Sequence, residues 1–157
     1  MKKPKPILFL LCAFTLLTGC PKDDEMIIEP STQELLIATW KPVRDVEVCS
    51  GGGQEVYNYN SCEQNGRLMF NTGGTLNVSI YFEQQNGDCL EEDVLSGTCN
   101  FNYNTLTLTS TAGTDTFNFV EVNNTVLKIG NNLNGPNEPC SNGVGITRYF
   151  TEYSKVN

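Results

Sequence analysis

From Leu76 to Phe82 the chain alternates without a break, with Leu76, Val78, Ile80 and Phe82 apolar and Asn77, Ser79 and Tyr81 between them. A period of two is the pattern of a strand with one buried face, because successive side chains of an extended chain point to opposite sides. Thr105-Leu106-Thr107-Leu108-Thr109 repeats the pattern, as do Phe117 and Phe119 across Asn118. The threonines suit a pleated backbone through their branched Cβ. Between these runs stand Asn71-Thr72-Gly73-Gly74, Gln85-Asn86-Gly87-Asp88, Asn102-Tyr103-Asn104, Asn123-Asn124 and Asn134-Gly135-Pro136. Asn and Gly accept the positive φ angles of tight hairpins. The spacing predicts eight strands, near residues 39–48, 66–71, 75–83, 93–101, 105–110, 115–122, 125–130 and 145–154. Ser31-Thr32-Gln33-Glu34 reads as a capping box opening one short helix ahead of them. Short connections make a meander, and a meander of this length closes most simply into a barrel without edges. The expected fold is all-β, an eight-stranded antiparallel up-and-down barrel with a short N-terminal helix.

Ahead of this domain, Met1-Lys2-Lys3-Pro4-Lys5 carries three positive charges, and the run Ile7 to Leu17 is apolar apart from Thr15. Eleven residues are too few to span a bilayer, which takes about 20. A charged start and a short apolar middle form the pattern of a secretory signal. The exit, Leu17-Thr18-Gly19-Cys20, resembles the lipobox of bacterial lipoproteins. The resemblance implies cleavage after residue 19, a diacylglyceryl group on the Cys20 thiol and acylation of the new amine, so that the membrane is a partner through lipid. Pro21-Lys22-Asp23-Asp24-Glu25 is similar to a surface-export signal of some Gram-negative lipoproteins, which implies an outer-membrane protein facing the exterior. The same charge run also reads as a solvated tether. The expected organisation is a signal peptide over 1–19, an acidic tether over 20–30 and a barrel domain over 31–157.

Loss of the signal peptide removes three of the ten basic residues and leaves eighteen acidic ones, a net charge of −11 on 138 residues. That surface repels phosphate backbones and excludes nucleic acid as a partner. Of seven cysteines, Cys12 leaves with the signal and Cys20 takes the lipid, so five remain in a compartment where disulfides persist. The chain has no histidine and no Cys-x-x-Cys, which argues against zinc, and no cofactor is implied.

Leu36-Ile37-Ala38-Thr39-Trp40-Lys41 resembles the opening L-I-G-T-W-K of bacterial lipocalin-like domains. Arg67 to Thr75 (Arg-Leu-Met-Phe-Asn-Thr-Gly-Gly-Thr) is similar to that family's L-x-F-x-x-x-G-T hairpin. Ser96-Gly97-Thr98-Cys99 falls at its S-G-T-W, and Asn104-Thr105-Leu106-Thr107-Leu108 at its N-x-L-T-L. The likeness covers about residues 35–155, with Ala38 in place of a glycine and Cys99 in place of a tryptophan. The topology it implies places Cys62 and Cys89 at the ends of one hairpin and Cys49 and Cys140 on one rim, suggesting a disulfide for each pair. Cys99 is then left as a buried thiol.

Chemistry finds little purchase in this sequence. Asp88, Glu91, Glu92 and Asp93 form the densest acidic cluster, but the D-x-D-x-D-G spacing of a calcium loop is missing. Nor does closeness in sequence set two carboxylates across a glycosidase cleft, and a solvated hairpin is the better reading. Without histidine or a Gly-x-Ser-x-Gly elbow there is no activated nucleophile, and an enzyme is not expected. Gly51-Gly52-Gly53 lacks the strand-to-helix setting of a phosphate loop. The aromatics pose the functional question. Trp40, Phe70, Phe82, Phe101, Phe117, Phe119 and Phe150 read as inward-facing, Trp40 as a barrel-bottom plug, and Tyr57, Tyr59 and Tyr103 as loop residues that line a mouth or cover apolar edges. An interior of this width is filled by side chains or holds one small ligand. The two readings are a membrane-anchored binding protein for a small apolar or amphipathic ligand, and a filled-barrel interaction module of the cell envelope.

Overall fold

The computed structural model describes residues 30–134 and 139–157. The expected signal peptide, Cys20, the expected tether as far as residue 29 and the turn expected at Gly135-Pro136 lie outside the described residues. The helix α1 (Thr32–Leu36) is opened by the capping box: the Ser31 hydroxyl accepts the Glu34 N–H, and the Glu34 carboxylate accepts the Ser31 N–H at 2.7 Å. Ten strands follow. They are β1 (Thr39–Cys49), β2 (Gln54–Asn58), β3 (Arg67–Phe70), β4 (Thr75–Glu83), β5 (Cys89–Asn102), β6 (Thr105–Ser110), β7 (Gly113–Phe117), β8 (Phe119–Val122), β9 (Val126–Asn132) and β10 (Ile146–Lys155).

All pair antiparallel in one sheet of order β7-β6-β5-β4-β3-β1-β10-β9-β8, with β2 beside β1. Two features correct the expected eight-stranded closed barrel. The extra strand β2 pairs Val56 with Val46 and extends the sheet beside β1, past the short contact that β1 makes with β3 at Thr39 and Trp40. The single strand expected over 115–122 is broken at Asn118, whose N–H and side chain bond Asn131 and Asn132 instead of continuing a ladder. The ladder path therefore ends at β7 on one side and β8 on the other and does not close. These ends are consecutive in the chain, and β6 meets β8 and β7 meets β9 across the seam.

The core sits at one end. Leu36, Trp40, Leu68, Phe70, Leu76, Leu106, Leu127 and Ile129 form one buried cluster, with Phe101 and Phe117 packed against it. Trp40 is wholly buried between Leu68 of β3 and Lys155 of β10, and its indole N–H donates to the Leu36 carbonyl at 3.0 Å, so α1 is pinned over this end. A second cluster of Val46, Phe119 and Phe150 lies on the other face of the sheet. Phe150 alternates with Thr151, which faces the interior, so its ring points outward; Val46 is its register partner on β1. The expected inward orientation of Phe119 and Phe150 is thus corrected. Their rings sit 5.3 Å apart, with the Arg148 guanidinium 4.2 Å from the Phe119 ring and Lys128 Nζ 5.5 Å from that of Phe150. Basic groups over aromatic faces cover this outer cluster. Between the two rings the register needs Gly130, because a Cβ there would run into the Tyr149 carbonyl and Phe150.

Candidate ligand cavity

Away from the Trp40 end the interior is not filled. A bulge in β1 between Pro42 and Arg44 changes which residues face inward. Beyond it, Asp45 stands opposite Thr151, and its carboxylate accepts the Thr151 hydroxyl at 2.6 Å and the Tyr59 phenol at 2.8 Å. Two hydroxyl donors thus hold a part-buried carboxylate that has no cationic partner among the described residues. Burial, then the Asp45 charge acting against the lowering influence of the Thr151 hydroxyl, pushes the Tyr153 phenol up to about 12. Burial and the hydrogen bond to Asp45 raise Tyr59 further.

For a phenol the neutral form is then favoured in the folded state, so its contribution to stability is complete below pH 10 and is lost as pH rises through the folded values. Absorbance titration should show Tyr153 ionising near 12 rather than near the ordinary 10, with stability falling across that interval. Ionisation of all six tyrosines near pH 10 would contradict this geometry.

Two adjoining chambers open above this network. One, of about 280 Å³, is bounded by apolar side chains of the barrel wall, among them Leu76, Leu95, Leu108 and Ile129. The other, of about 380 Å³, is bounded by Tyr59, Tyr81, Phe82 and the charged residues Glu63, Arg67 and Glu92. Leu68, Val78, Ile80 and Tyr153 line both, so the chambers share a wall. Ile80 and Phe82 on β4 and Leu90 on β5 stay 42%, 37% and 42% exposed, an apolar rim left open by the protruding β4–β5 hairpin.

The acidic cluster expected from sequence does not converge. Asp88 bonds Asn86 in the hairpin turn, Glu91 accepts the Tyr81 phenol, and Glu92 borders the larger chamber. Cys49 and Cys140 are joined at one rim with Cα atoms 6.2 Å apart, and Cys62 is joined to Cys89, the first residue after the β4–β5 turn, with Cα atoms 5.4 Å apart. Glu55 lies beside the first pair, but sulfurs bonded to each other are not thiolate ligands, so this trio does not make a metal site. Cys99 is a free thiol, half-buried rather than fully buried, and burial raises it above the usual thiol range.

Tyr57 belongs to β2, not to a loop, and donates to Glu63; Tyr103, 90% exposed at a hairpin tip, borders neither chamber. Sequence reasoning passed over Asp45, Thr151 and Tyr153. In Val43-Arg44-Asp45-Val46-Glu47-Val48 the alternation suggests inward valines, whereas Val46 faces out and Asp45 faces in.

With this geometry in view, residues 36–129 match the lipocalin-like domain family. The chain belongs to that family. Among solved structures, a lipocalin-like protein from Bacteroides uniformis ATCC 8492 is similar at 11% identity over 78% of this chain and 99% of its own, with a TM-score of 0.45. No curated protein matches the chain. A lipocalin-like domain accounts for the all-antiparallel sheet and for an interior closed at one end. Its family is generally non-enzymatic.

Proposed function

We propose that this lipocalin-like domain binds a small, largely apolar molecule in the paired chambers and is held at the outer membrane through lipid on Cys20. The observation that carries the binding reading is the pair of chambers of about 380 and 280 Å³ sharing Leu68, Val78, Ile80 and Tyr153. A small-molecule site is typically a concave, mostly apolar space of some 300–1,000 Å³ with a few placed polar groups. The filled Trp40 end belongs equally to an interaction module, but the open apolar rim at Ile80, Phe82 and Leu90 favours a bound molecule. No reaction is assigned to the chambers: Glu63 and Glu92 border the larger one, and among the described residues no nucleophile with its base lines either.

Native mass spectrometry of the chain, extracted from its own envelope with an amphipathic polymer, tests the binding. A small molecule of defined mass, released on denaturation, is expected. A clean apo mass together with no uptake of a neutral apolar probe would overturn the reading. Ile80→Ser should weaken the uptake about tenfold, equivalent to about 1.4 kcal/mol of lost apolar contact.

The anchor is tested separately. Cys20→Ala should abolish incorporation of labelled fatty acid and move the chain from the membrane to the soluble fraction. Unchanged labelling would place the lipid elsewhere or rule it out. Protease accessibility on intact cells then distinguishes outward from periplasmic display.

A further inference from the structure

Resting on the binding reading above, we infer that the molecule taken up is an amphiphile with a cationic head, of quaternary-ammonium or amine type, and not an anion such as a fatty acid. The two chambers differ in kind. The smaller is walled largely by apolar side chains from β3, β4, β5, β6, β7 and β9 and takes the body of the molecule. The larger carries the groups that meet its head, and there carboxylates outnumber cations.

Glu63 and Glu92 border the larger chamber, Asp115 borders the smaller, and Asp45 lies directly behind the Tyr59 phenol. Against them stands one cation, Arg67. Its Nη1 donates to the carbonyls of Gln64, Asn65 and Gly66 at 2.8, 2.9 and 2.6 Å, so this guanidinium braces the 3₁₀ turn Glu63–Asn65. Neither it nor Glu63 or Glu92 forms an ion pair among the described residues.

Glu63 is held in place by the Tyr57 phenol and the Asn60 N–H, each at 2.8 Å, so its negative charge is fixed at the chamber edge before a ligand arrives. The rings of Tyr59, Tyr81 and Tyr153 complete the wall, and aromatic faces with nearby carboxylates are the surroundings that stabilise an alkylammonium head. A net charge of −8 on the whole chain adds an attractive field for cations and a repulsive one for anions.

The test uses three compounds with one apolar body: 4-butylbenzyl-trimethylammonium, 4-butylbenzyl alcohol and 4-butylbenzenesulfonate. Each is titrated against the full chain in nonionic maltoside micelles, whose head carries no ammonium group, with empty micelles as blank, at low and high salt. The ammonium compound is expected to bind at least tenfold tighter than the sulfonate, with the alcohol between them. The preference should shrink in 0.5 M salt, and it should fall severalfold in the double variant Glu63→Gln/Glu92→Gln while affinity for the alcohol holds.

Equal binding of all three, or tighter binding of the sulfonate, overturns the cationic-head assignment and leaves the cavity reading standing. A preference that the double variant retains shows that these two carboxylates do not read the head, and also overturns the assignment. Binding of none of the three overturns both. Loss of the alcohol along with the ammonium compound would point to damage of the barrel, and the single variant Glu92→Gln, on an exposed side chain, then decides between them.

Discussion

Replacing Trp40 by alanine should destabilise the domain by about 3–5 kcal/mol, the range for removing a large buried aromatic side chain. Trp40 is wholly buried, stands in the β1–β3 and β1–β10 ladders, and holds the Leu36 carbonyl through its indole N–H. Its removal opens a void among Leu36, Leu68, Phe70 and Leu127 and leaves a buried carbonyl at the end of α1 without its donor. Trp40→Phe keeps most of the apolar volume and loses the hydrogen bond, a cost of about 1–3 kcal/mol for an unsatisfied buried acceptor. Small domains hold only about 5–15 kcal/mol in total, so Trp40→Ala should shift the urea midpoint by a large fraction of its value. A midpoint that barely moves would mean that the Trp40 end is not the structural core.

The second large effect concerns the rim. The Cys49–Cys140 bond closes a loop of sequence separation 91, and Cys62–Cys89 one of 27. Cross-links restrict the unfolded chain more when the loop is longer, so replacing both cysteines of the first pair by alanine should cost about 4–5 kcal/mol and the second pair about 3–4 kcal/mol. The first bond also ties the end of β1 to the segment entering β10, and its sulfurs pack with Ile146 in a small satellite cluster. Paired replacements avoid stranding a thiol beside the free Cys99. Urea denaturation of each double variant measures the difference, and equal losses for the two pairs would contradict the loop-length argument.

The two long alternating runs carry their structure openly. Leu76 to Phe82 and Thr105 to Thr109 both lie within strands as read from the sequence, Leu76 and Leu106 buried in the core and Ile80 and Phe82 left exposed at the far end of β4. β2 was not legible, because Gln-Glu-Val-Tyr-Asn has no buried residue and follows three glycines; its place comes from pairing with β1, which is a tertiary fact. The break at Asn118 is equally tertiary, since it depends on Asn131 and Asn132 arriving opposite.

The site was the least legible part. Alternation gives the relative facing of neighbours along a strand but not which face is inside, and the bulge after Pro42 turns Asp45 inward and Val46 outward, the reverse of an unbroken strand continued from Trp40. Phe119 and Phe150 fail for the same reason: an apolar residue on a strand reads as interior, yet basic side chains cover these two on the outer face. The cavity itself arises from what the β4–β5 hairpin leaves uncovered at Ile80, Phe82 and Leu90, and no local pattern encodes that.

On the proposed reading the barrel is filled at the Trp40 end and open at the other, where it takes up a small molecule. Methyl-resolved NMR of the full chain during titration with 4-butylbenzyl alcohol tests it most directly. Shifts are expected at Leu68, Val78, Ile80 and Leu95, which line the chambers, and none at Val46 or the exposed Val94. Shifts confined to Val46 and Val94, or no shifts at all at saturating probe, would contradict it.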